Sequence, residues 1–339
     1  MKVTAVNRRN APAESCSYNT HQSPKEQAIV RYILTKNVLG RNVQIDITKD
    51  RYSQIEMSMK TLYEAFEIEL LFDLSMQNHI EIDTYIASQL IQHSAFREPD
   101  NYGLRASTWE FIRRLNNWLA SLSTWRDITE HRLIAIAGRG VEIADFRNRH
   151  IDRLENDFEY GFLYHLRNCS QHYSFPSSGL SFGGKWDEDR SKLNISSNLM
   201  FEYRHFRDYF ERGGRGVKGR KKFGKILERK TRNGGLDISY AMRKGLHSHA
   251  KALDEVRESI DNTVSSAEQA VTACLDEYRL AHPDGNTIGL AAMEISEKGT
   301  ANKSSIVQIF DDFLLHGQKL RKQNSGVALA LHKKHVRIP

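Results

Sequence analysis

From Ile55 onward, large apolar side chains return every three or four residues: Ile55, Met59, Leu62, Phe66, Leu70 and Leu74. That period puts them on one stripe of an α-helix, and a helix with such a stripe must bury it against other elements. The stripe resumes at Tyr85, Ile86 and Leu90. Ser107 or Thr108, with Glu110 just after, predicts the N-cap of a second helix. Its face is Ile112, Leu115, Leu119 and Leu122, with Trp109, Trp118 and Trp125 beside it. After the break Gly138-Arg139-Gly140, a third helix is predicted to run to about Tyr173 and to stop before Pro176. Leu154, Phe158, Phe162, Leu166, Cys169 and Tyr173 line one face of it. A long helix is predicted after Gly234-Gly235, carried by Leu246, Ala250, Leu253, Val256, Ile260, Val264 and Val271.

Two segments break the helical period. Leu180 to Trp186 and Leu193 to Tyr203 flank the polar run Asp187-Glu188-Asp189, a hairpin signal. Beyond Pro283-Asp284-Gly285, a short strand is expected around Ile288 to Ile295 and a helix from about Ser304 to Leu320. The expectation is a mainly α fold, a helical bundle with a small inserted β-hairpin. Residues 1–24 read as a loose arm, 25–283 as the bundle with its hairpin at about 179–203, and 284–339 as a strand/helix extension.

Charge is concentrated. The 339 residues carry a net +7, yet residues 212–232 alone hold ten cations against the single acid Glu228. That strip is +9 and the rest of the chain −2, the footprint of a protein that binds a polyanion. Arg215, Lys218, Arg220, Lys221, Lys222 and Lys225 are the candidate RNA-binding side chains. The strip is glycine-rich and reads as lacking the apolar face of an interfacial helix, which favours nucleic acid over a membrane. Mean hydropathy is −0.57, and no apolar run approaches the length of a membrane span.

Several familiar chemistries are missing. Cys16, Cys169 and Cys274 are far apart and form no CxxC pair, which excludes a disulfide framework and a cysteine zinc site. The first residues, MKVTAVNRRNAPAESCS, lack an apolar signal core, so a cytoplasmic location is expected. Gly214-x-Gly216-x-x-Gly219 matches a dinucleotide fingerprint in letters only, since no apolar strand precedes it and cations crowd it. His247 and His249 fall on different faces of a helix, unsuited to one zinc ion. No GxxxxGK[ST] or HExxH is present. No metal and no cofactor is expected.

RNA is cut without metal when a cation neutralises the phosphate and an imidazole moves protons. Arginine suits the first task by its permanent planar charge, histidine the second by a pKa near 6.5. Three Arg–His pairs have four to six intervening residues: Arg126–His131, Arg167–His172 and Arg243–His249. The first has an acidic interior, and the third has Lys244 directly after its Arg. Arg167–His172 lies on an apolar helix that a proline ends soon after. On an ideal helix His165, Asn168 and His172 share a face, whereas Arg167 lies well round from His172.

The segment Phe162-Leu163-Tyr164-His165-Leu166-Arg167-Asn168-Cys169-Ser170-Gln171-His172-Tyr173-Ser174-Phe175-Pro176 resembles the signature of the HEPN superfamily (higher eukaryotes and prokaryotes nucleotide-binding domain). That signature is Arg, four to six residues, then His, commonly with Asn, Asp or His directly after the Arg. The resemblance covers about fifteen residues. It implies a helical bundle and a metal-independent endoribonuclease of the kind that serves as a toxin or an abortive-infection factor in phage defence. His172 would be the general acid or base, Arg167 would steady the phosphorane, and Asn168 would orient the phosphate or the imidazole. It also implies a homodimer and a possible antitoxin or regulatory partner. The alternative is a catalytically inactive HEPN-like protein that binds RNA or regulates.

Overall fold

The computed structural model describes residues 30–38, 42–95, 101–173, 175, 180–186, 193–211, 217–232, 236–282, 285–296 and 301–327. The N-terminal arm, Arg215, Gly214, Gly216 and the run Asp187-Glu188-Asp189 lie outside them. In chain order the described elements are β1 (Val30–Lys36), β2 (Gln44–Ile47), α1 (Lys49–Ala95), α2 (Asn101–Ala137), α3 (Val141–Asn156) and α4 (Phe158–His172). Then follow β3 (Leu180–Trp186), β4 (Leu193–Phe201), α5 (Tyr203–Glu211), α6 (Val217–Thr231) and β5 (Leu236–Asp237). The chain continues through α7 (Ile238–Ala281), β6 (Leu290–Ser296), β7 (Ala301–Gln308) and α8 (Asp311–Ser325). The fold is mainly helical, and no helix among the described residues is long and apolar enough to cross a membrane.

The long helices α1, α2 and α7 run through two hydrophobic clusters. One joins Phe72, Trp125, Leu253, Val271 and Tyr278 to the sheet residues Leu34, Leu290 and Ala292. The other gathers Trp118, Phe162, Leu166, Phe201, Phe206, Phe210, Leu227 and Leu246. Of the expected α1 stripe, Ile55 and Leu62 are buried and Met59 and Phe66 partly so, while Leu70 and Leu74 face out; the core takes Phe72 instead. Trp118 and Trp125 are core residues; Trp109 is exposed.

Four readings of the sequence need correction. The second helix starts at Asn101, six residues before the expected cap, because Ser107 uses its hydroxyl to bond Gln89 on the facing helix instead of starting a turn. The single helix expected from Gly140 to Tyr173 is two. Asp157 has extended backbone dihedrals, and its carboxylate accepts from the amide of Tyr160, so it caps α4 and ends α3. The basic strip does carry an apolar face from Val217 onward, where it is helical. Phe223, Leu227 and Thr231 recur at four residues and bury one face of α6, leaving Lys221, Lys222 and Lys225 in solvent. The stretch from Ser304 to Gln308 is strand, not helix, because it pairs with β6.

The hairpin forms as expected, with Leu180 opposite Leu199 and Trp186 opposite Leu193. It continues through β4 to the short β5, so the sheet order is β3-β4-β5. No local pattern foretells β1 and β2. They join β6 and β7 in an antiparallel sheet of order β2-β1-β6-β7, with Leu34 opposite Ala292. Residues 30–36 and 290–296 are therefore adjacent strands, and α8 lies on α1 and α7. Arg257 of α7 makes two parallel bonds to Glu69 of α1, 2.6 and 2.8 Å, and Asn324 of α8 donates to the same carboxylate at 2.9 Å.

Candidate functional site

Helix α4 is clamped on both sides by glycines. A side chain at Gly161 would meet the Phe223 ring of α6 at 2.8 Å and the carbonyl of Leu154 at 3.0 Å. One at Gly245 of α7 would collide with Leu163. The small residues let α6 and α7 approach α4 closely. The Phe158 and Phe223 rings then stack at 5.4 Å, and Lys230 lies 4.3 Å over Phe158.

This packing opens a cleft of about 530 Å³ between α3, α4, α5 and α6. His165, Asn168 and His172 line it together, the face expected from helical geometry. Opposite them stand Arg220 and Lys222 of the basic helix, with Tyr164, Tyr173 and Tyr209 around the walls. His172 is exposed and Tyr173 is partly so. Lys218 lies in the first turn of α6, and Lys221 and Lys225 lie on its exposed side away from the lining.

The floor of the cleft is a buried polar chain. Asn168 hydrogen-bonds the hydroxyl of Tyr209. That hydroxyl lies 2.9 Å from Nδ1 of His165. Burial drives the Tyr209 pKa upward against the Asn168 bond and keeps it a neutral phenol. Burial, then the Arg220 charge, lowers His165 to about 3, so it is a neutral imidazole. Arg220 Cζ is 5.4 Å from the Tyr209 ring centroid.

Arg167 goes elsewhere. It lines a second, smaller hollow of about 20 Å³ with Arg126, Ser123, Tyr160, Tyr164 and His249. Its Nη1 donates to Oδ1 of Asn168 at 3.0 Å, while its Nε is buried without an acceptor. The single chain thus brings Asn168 and His172 together and leaves Arg167 on the other side of Tyr164. One arginine or histidine from each of the three Arg–His pairs meets here: Arg126, Arg167 and His249. His249 Nδ1 donates to the carbonyl of Gly245 at 2.8 Å, and the ring stacks on Tyr160 at 4.4 Å. Burial lowers its pKa to about 4. His150, 2.8 Å from the Tyr160 hydroxyl, is likewise lowered to about 4, first by burial and then by Arg126.

Tyr209 and Tyr164 escaped the sequence reading because their partners come from other helices. Among the described residues no group of three His, Cys, Asp or Glu side chains is arranged to hold a metal ion. No known family, curated protein or solved structure matches this chain.

Proposed function

We propose that the chain is a metal-independent endoribonuclease of HEPN type whose reaction takes place in the α4–α6 cleft. The observation that carries the reading is that His172 and Asn168 line the same cleft as Arg220 and Lys222 of the basic helix. In this scheme the 2′-oxygen of RNA attacks the adjacent phosphorus as His172 takes its proton. The bond to O5′ breaks, that oxygen gains a proton from water, and a 2′,3′-cyclic phosphate remains. Arg220 and Lys222 offset the charge that builds on the phosphorane, the role first given to Arg167. Asn168, held by Tyr209, orients a phosphate oxygen. A cytoplasmic toxin or defence factor, working as a homodimer and restrained by an antitoxin or regulator, fits this chemistry.

A second reading is a catalytically silent RNA-binding protein. The placement of Arg167 and His172 on different hollows favours it, because the two side chains of the motif do not converge within one chain.

Cleavage of a labelled single-stranded RNA by parent and His172→Ala, in excess chelator, tests the proposal. The variant should cut about 10²–10⁴-fold more slowly with unchanged RNA affinity. Equal rates would remove His172 from the chemistry. Tight binding by the parent without any cleavage would establish the silent reading, and activity that chelator abolishes and Mg²⁺ restores would require a metal.

A further inference from the structure

We infer that the Arg126–Arg167 hollow is a second phosphate subsite, and that the ligand is single-stranded RNA lying across Tyr164. The inference rests on the reading of the neighbouring cleft as an RNA site, and it adds where the next phosphate goes and which form of RNA fits.

Three observations support it. Tyr164 lines both hollows, so the two are neighbours that meet at this residue. The guanidinium of Arg126, which pairs with the exposed carboxylate of Asp127 at 2.7 Å, also lies 5.3 Å from the centroid of the Tyr164 ring. Arg167 donates to the neutral amide oxygen of Asn168, its Nε is buried without an acceptor, and among the described residues it forms no ion pair with a carboxylate. A guanidinium has five donors, so this one holds its charge and most of its bonding capacity in reserve at the rim of a cavity.

Size decides what enters. The main cleft, at about 530 Å³, falls in the range that accepts a small organic ligand. The second hollow, at about 20 Å³, admits a group the size of a water molecule. A phosphoryl oxygen fits that description; a sugar or base does not. The second hollow therefore contacts backbone only and reads no sequence. Neither space admits a duplex, and the exposed Tyr173 offers an aromatic surface only to an unpaired base. Asn168 joins the two hollows, since it accepts from Arg167 and bonds Tyr209 on the cleft floor.

The test is RNA binding, measured in a His172→Ala background so that cleavage plays no part. Oligouridylate affinity is followed against salt for that protein and for versions also carrying Arg126→Ser with Arg167→Ser, or Arg126→Lys with Arg167→Lys. The Ser pair should flatten the slope of log affinity against log salt by up to about 0.7 per lost contact, and the Lys pair should largely retain it. Circular dichroism checks that both remain folded. If the Ser pair unfolds, a length series on the His172→Ala protein decides: affinity and slope should both rise from uridine 3′-phosphate to longer oligouridylates. Duplex RNA of equal length should compete poorly. An unchanged slope in a folded Ser pair, a flat length series, or equal competition by duplex overturns the inference while leaving the cleft reading intact. Absence of all RNA binding would instead remove the cleft reading itself.

Discussion

The guanidinium of Arg220 lies over the ring of Tyr209, 5.4 Å from its centroid, which ties one cation of a strongly basic helix to the floor of the cleft. Lys221, next in sequence, faces solvent outside the lining. Adjacent positions should therefore behave differently. Arg220→Ala should weaken RNA binding by about tenfold or more at moderate salt, through the lost phosphate contact and the lost cation–π packing. Lys221→Ala should change it far less. Fluorescence anisotropy with one labelled RNA, on both variants in parallel, checks the contrast; equal losses would mean that α6 acts as diffuse charge.

Glu69 and Arg257 are both buried, and with Asn324 they join three helices. Removing one member of a buried ion pair leaves the other charge unpaired at a cost of about 3–5 kcal/mol. Glu69→Ala should accordingly lower the unfolding midpoint steeply. The double change Glu69→Met with Arg257→Met should recover much of the loss, because apolar replacement removes both desolvation penalties. Urea titrations of single and double variants measure it.

Acid should unfold this protein before its carboxylates titrate fully. His150, His165 and His249 are held near pKa values of 4, 3 and 4 by burial, whereas unfolded histidine titrates near 6.5. A lowered histidine pKa means that the unfolded chain binds protons the native state refuses. Stability is therefore full above about pH 7 and falls as pH drops through 6.5 towards 4, by up to about 1.4 kcal/mol per pH unit for each histidine. Chemical denaturation at a series of pH values from 8 downward should show this, and replacing His249 by Gln should flatten the decline.

Gly161→Ala should loosen the cleft itself. Its new methyl meets the Phe223 ring at 2.8 Å and a backbone carbonyl at 3.0 Å. The ring has to yield, which shifts α6 and the cations it carries relative to α4. We expect about 1–3 kcal/mol of lost stability together with weaker RNA binding. A variant that loses stability but binds RNA as the parent does would show that the position of α6 is not critical to the site.

The long helices were legible because their apolar residues recur over many turns, and the hairpin because its two runs are adjacent in sequence. Strand β1 was not, because its main partner is β6 at the other end of the chain and no local pattern records that pairing. Helix α6 was hidden by its composition: the glycines and cations masked the four-residue spacing of Phe223, Leu227 and Thr231. Asp157 marks a helix start that the apolar stripe overrode. At the site, angular position on one helix foretold that His165, Asn168 and His172 share a face and that Arg167 diverges. It was silent on Tyr209 and on which of the ten cations reach the cleft, because those depend on how separate helices pack.

The pairing of β1 with β6 also sets a timetable. A ribosome adding roughly 5–20 residues each second takes on the order of tens of seconds to travel from one strand to the other. Throughout that interval β1 has only β2 to pair with, and α4, α5 and α6, which carry most of the cleft, are complete before β6 is made. The half that holds the cleft can therefore begin to assemble during synthesis, and the half that closes the sheet comes last.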